Sequence, residues 1–148
     1  MPKIRLKFMS AIHFVTFVGL MIGCNSPSEK MANTRKVAQE LFDQGQTAFT
    51  AKDYAAAEDR FSRAVTQGGL GPDCYDIAAV KRAVCLGALN RGDEAIAELA
   101  KLEPGASNLD AIYAARSYVL TKQGKAAESR AALAKARQYN RTVQEFKD

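Results

Sequence analysis

Small side chains recur along this chain at intervals that suit closely packed pairs of helices. Gly45, Ala57, Phe61 and Ala64 stand twelve, four and three residues apart, and Ser117, Ser129, Leu133 and Ala136 repeat those intervals. A middle set, Cys85, Ala95, Leu99 and Leu102, keeps the four-three ending with two residues missing ahead of it. Four-and-three spacing keeps residues on one helix face. A small residue on each of two neighbouring helices lets their backbones approach, and the large apolar residue one turn later fills the groove beside the contact. No single pair buries such a face alone, so successive pairs must stack.

From Asn33 onward the chain is rich in Ala, Leu, Glu, Lys and Arg and sparse in β-branched residues, a composition that favours helices. Breaks near Lys52-Asp53, Gly68 to Pro72, Gly92-Asp93, Pro104-Gly105 and Gly124-Lys125 predict six helices over 34–50, 54–66, 74–90, 94–102, 109–122 and 125–138. Asp53 and Asp93 are placed to accept hydrogen bonds from free amides at the head of the next helix. Ser107 and Asp110 have capping-box spacing.

The pattern resembles the tetratricopeptide repeat, a helix-turn-helix module. Gly45, Asp53-Tyr54, Ala57, Phe61 and Ala64 carry the best match; Tyr113, Ser117, Gly124, Ser129, Leu133 and Ala136 carry a fair one. The middle pair is degenerate, with Lys81 in the place of a large residue and Pro104 early. The resemblance covers about residues 38 to 141 and implies an all-α fold, a right-handed α-solenoid of about three helix pairs. It further implies a concave groove, lined by the first helix of each pair, that holds a peptide or partner helix. Projected onto this chain, the groove residues are Phe42, Gln46 and Phe49, then Arg82, Leu86 and Leu89, then Tyr118 and Lys122. The Lys/Asn clamp with which chaperone-binding members hold a terminal carboxylate is absent. Phe42, Gln46, Ala83, Ala111 and Ala115 stand at its positions.

The first residues address the chain rather than fold it. Lys3, Arg5 and Lys7 precede an apolar run from Phe8 to Ile22 that ends at Gly23-Cys24, the layout of an export signal. Met21-Ile22-Gly23-Cys24 resembles the lipobox of bacterial lipoproteins, with Met21 where leucine is usual. The resemblance implies a signal peptide over 1–23, lipidation of Cys24, a flexible tether over 24–33 and a helical domain over 34–148. A lipid-anchored envelope protein is expected. Asn25, where an Asp would mark inner-membrane retention, favours the outer membrane facing the periplasm.

Charge and chemistry narrow the function. The chain carries 21 basic and 16 acidic residues, and three of the basic ones lie in the leader, so the mature part is close to neutral at +2. The overall basicity is therefore no argument for nucleic-acid binding. The one histidine, His13, lies in the leader, so the mature part lacks the commonest general base and zinc ligand. Gly68 to Pro72 lacks the Gly-Lys-Ser/Thr ending of a phosphate loop. No catalytic constellation, cofactor site or metal site is expected. Cys74 and Cys85, eleven residues apart, are too distant to bond if they share a helix; a disulfide requires Cys74 to sit in the loop. The expected function is a non-catalytic protein-binding scaffold for cell-envelope assembly. The alternative is a structural lipoprotein that self-associates through an apolar end at Leu133 and Val143.

Overall fold

The computed structural model describes residues 26–147, which form six α-helices, one short 3-10 turn and no strand among the described residues. The helices are α1 Pro27–Thr50, α2 Tyr54–Gln67, α3 Pro72–Ala88, α4 Gly92–Leu102, α5 Leu109–Lys122 and α6 Ala126–Tyr139. Each runs close to its expected limits except α1, which begins at Pro27 inside the segment expected to be a tether. Ser26 causes this. Its Oγ accepts from the Glu29 amide at 3.2 Å, and the Glu29 carboxylate accepts from the Ser26 amide at 2.8 Å, a complete capping box. Pro27 occupies the first turn, where its missing N–H costs nothing. Residues 1–25, including the expected leader and the expected lipidation site Cys24, lie outside the described residues.

The three turns within the helix pairs are built alike. In the first, the amides of Ala51, Lys52 and Asp53 donate to the carbonyls of Thr47, Phe49 and Ala48, all at 3.0 Å. Leu89, Asn90 and Arg91 bond in the same order to Cys85, Gly87 and Leu86 at 2.9, 3.2 and 2.8 Å. Gln123, Gly124 and Lys125 do so to Val119, Thr121 and Leu120 at 3.1, 3.0 and 2.9 Å. The central residue is left-handed each time, with φ of 60° at Lys52, 62° at Asn90 and 74° at Gly124. This alignment corrects the register of the middle pair. Ala83, not Cys85, corresponds to Gly45 and Ser117, and nothing is missing from its turn, so Ala83, Ala95, Leu99 and Leu102 keep the full twelve-four-three spacing.

Consecutive helices pack against each other throughout, and the first helices of the pairs also touch, α1 with α3 and α3 with α5. Turns this short make the helices of a pair antiparallel. One core cluster lies among α1, α2 and α3 (Leu41, Phe42, Ala57, Phe61, Ala64, Ala78, Cys85). A second lies among α3, α4 and α5 (Val80, Ala83, Val84, Leu86, Ala95, Leu99, Ile112, Ala115, Tyr118, Val119). Cys85 thus serves the first cluster as a small buried residue. Cys74 and Cys85 are both free thiols within α3, and Cys74 does not fold back from the loop. Among the described residues no helix is long and apolar enough to cross a membrane.

Candidate functional site

The face shared by α1, α3 and α5 gathers aromatic rings and amines. Near the end of α1, Phe49 is half-buried and stands edge-on to Tyr54 at 5.9 Å and to Phe61 at 6.4 Å between ring centroids. Lys81 of α3 reaches over it, with Nζ 5.0 Å from the ring centroid, and donates to the Gln46 side-chain oxygen. On α5, Lys122 lies 5.5 Å from the ring centroid of Tyr118. Cations over aromatic faces are mutually attracted through the ring quadrupole.

Expected groove residues divide between this face and elsewhere. Gln46, Phe49, Tyr118 and Lys122 belong to it. Phe42 does not, being buried against Phe61 with ring centroids 6.2 Å apart. Leu86 is fully buried in the second cluster. Arg82 points the other way. Its Nε and Nη2 donate to the Glu98 carboxylate of α4 at 3.0 and 2.6 Å, and its Nη1 to Ser62 Oγ of α2 at 3.4 Å. The two-residue register correction explains the Arg82 and Leu86 placements. Two residues turn a helix by about 200°, which carries a projected groove position to the opposite face.

Lys81 and Phe146 belong to the site without having been expected there. Lys81 stood out in the sequence only as a misfit, a charge in place of a large apolar residue. Half-burial lowers its ammonium below the ordinary lysine value, partly opposed by the neighbouring Cys85. Burial, followed by the charge of Glu58, pushes the Cys85 thiol up to about 12.

Phe146 comes from the segment after α6. It meets Phe49 edge-on, with centroids 6.2 Å apart and ring planes at 85°, and packs against the second core cluster. Beside it lies a cleft of about 490 Å³ lined by Ala114, Ser117, Tyr118, Thr121 and Lys122 of α5, Ser129 and Leu133 of α6, and Glu145 to Lys147. A ring edge, an amine-covered ring and a cleft with hydroxyls on one wall can hold an apolar side chain and orient its backbone. Among the described residues no three His, Cys, Asp or Glu side chains converge as a metal site would. Compared with known proteins, the chain matches no family model, no curated protein and no solved structure at a significant level.

Proposed function

We propose that this chain is a lipid-anchored bacterial envelope protein whose helical domain holds a segment of a protein partner without catalysing a reaction. In this reading the three helix pairs form a right-handed solenoid of tetratricopeptide-like repeats, and the α1–α3–α5 face is its concave groove. The recurrence of one turn geometry and one small-residue spacing in all three pairs supports it. One observation carries the binding role: the non-helical segment that carries Phe146 already lies against this face, so the surface accommodates such a segment. The lipobox-like Met21 to Cys24 supports anchoring, and Asn25 favours the outer membrane, facing the periplasm. Envelope assembly is the setting that anchoring and a protein-binding groove together suggest.

Self-association is the weaker alternative. Val143, half of the apolar end it would use, packs against the cluster of Tyr113, Ala114 and Ala136 of the same chain.

Crosslinking in cells tests the binding role. Phe49→Ala combined with Lys122→Glu is expected to lose the crosslinked partners, while Arg82→Gln, altered on the other face, keeps them. Identical partners from all three chains would overturn the groove. Cys24→Ser is expected to move the protein from the membrane to the soluble fraction, and continued membrane retention would overturn the lipid anchor.

A further inference from the structure

The chain after α6 is held by side chains rather than by regular structure. Asn140 Nδ2 donates to Asp110 Oδ2 at 2.8 Å, and its Oδ1 accepts from the Thr142 amide and hydroxyl at 3.0 and 2.9 Å, fixing a turn. Val143 then packs against the cluster of Tyr113, Ala114 and Ala136. Glu145 pairs with Arg137 at 2.5 Å, and Phe146 meets Phe49 edge-on. The Asn140 amide donates to the Ala136 carbonyl at 3.0 Å, and the Val143 amide to the Asn140 carbonyl at 3.1 Å. Arg141, Thr142, Gln144, Glu145 and Lys147 remain exposed.

Beyond the Asn140 turn, two inward residues three apart, Val143 and Phe146, and one acid between them seat the tail. The Asn140 turn is continuous with α6, but the Val143, Glu145 and Phe146 contacts are made by side chains alone, so a separate segment is able to make them. The cleft of about 490 Å³ next to Phe146 extends the same surface to Tyr118 and Lys122. Glu145, Phe146 and Lys147 of the tail form one wall of it.

We infer that the tail is a displaceable occupant of the groove. The partner of this site is then a non-helical segment of the same chemistry: an aliphatic residue, two spacers with an acid second, and an aromatic residue. Such a segment takes the place of Val143 and Phe146 and ejects the tail. The inference rests on the groove reading proposed above and adds the class of partner and a built-in competitor. A tethered occupant acts at a high effective concentration and cuts the apparent affinity of every competing segment to the fraction of time that it is undocked.

The test uses the full chain in detergent micelles and a labelled, end-blocked peptide with the sequence of residues 140–147, read by fluorescence anisotropy. Phe146→Ala is expected to bind the peptide about tenfold more tightly than the unaltered chain, because its own tail no longer competes. Adding Phe49→Ala, or using a peptide that lacks the phenylalanine, is expected to abolish the gain. If Phe146→Ala loses its helical circular dichroism, Val143→Ser serves as the opened chain, with the same expectation. Equal binding by closed and opened chains, or binding by neither, overturns the inference. So does an unaltered chain that is a dimer and becomes monomeric on Phe146→Ala, since the tail would then sit in a second copy. The groove reading fails separately, by unchanged crosslinked partners in the Phe49→Ala, Lys122→Glu chain, whatever the peptide does.

Discussion

Gly45 lies so close to the ring of Phe61 that a methyl group on its Cα would stand 2.7 Å from both Cδ1 and Cε1. In the other two pairs the corresponding residues are Ala83 with Leu99 and Ser117 with Leu133. The chain thus uses two solutions to one packing problem, a ring against bare backbone or a leucine against a small side chain. Both keep the two helices of a pair near contact.

Gly45→Ala is accordingly expected to destabilise the domain. Overpacking costs about 1–3 kcal/mol, and the better helix propensity of alanine returns about 1 kcal/mol. The net loss is about 1 kcal/mol, read as a lower urea midpoint. In a Phe61→Leu chain the same change should reverse sign and stabilise, because the pair then has the composition of Ala83 and Leu99. A Gly45→Ala effect of equal sign in both backgrounds would show that the Phe61 ring is not the obstacle.

Ser129 occupies the position held by Ala57 and Ala95 in the other pairs, and its hydroxyl is buried in a small polar network. It bonds to Ser117 Oγ at 3.0 Å, to the Ser117 carbonyl at 2.9 Å and to Thr121 Oγ1 at 2.7 Å. Ser129→Ala alone should cost about 1 kcal/mol, since it leaves the Ser117 hydroxyl short of a partner. Ser117→Ala together with Ser129→Ala should be close to neutral, because both partners go and apolar groups take their place. Thermal unfolding of the single and double variants checks this, and an additive loss would count against the network.

The adjacent turns of α3 that carry Lys81 and Cys85 give stability an alkaline pH dependence with two opposing parts. Lys81 is lowered from 10.5, so between its folded value and 10.5 the unfolded chain binds more protons and stability rises with pH. Cys85 is raised from 9.0 to about 12, so above 9.0 the unfolded chain gives up a proton that the folded chain keeps, and stability falls. Lys81→Met should leave the fall above pH 9 unopposed, whereas Cys85→Ala should unmask the rise toward pH 10.5. Urea midpoints measured from pH 7 to 11 separate the two, and identical profiles for both variants would contradict the assignment.

Most helix limits were readable from local chemistry. Asp53, with its carboxylate 3.1 Å from the Ala56 amide, caps α2 as its residue type and place predict. Pro27 and its polar neighbours have the composition of a tether, so sequence alone points to a later start for α1. The same residues also make a helix start, and Glu29 three places after Ser26 was the available signal. Cys85 and Ala83 are both small and both buried, so composition alone does not set the register of the middle pair. A register set on Cys85 carries Arg82 and Leu86 onto the α1–α3–α5 face, and one set on Ala83 does not. The role of Phe146 had no periodic signal, since a lone aromatic residue in a polar, non-helical tail reads the same whether docked or free.

Residue order by itself determined that the described chain is helical, where most of the helices begin and end, and that they come in pairs with small residues at the crossings, because capping, propensity and face periodicity act within a few residues. Tertiary structure alone decided which small residue of α3 sits at the crossing, that Phe42 is core while Phe49 is not, and that the tail returns to α1. Those outcomes depend on rotation of helices about their axes and on contacts between residues far apart in sequence, and no local rule encodes either.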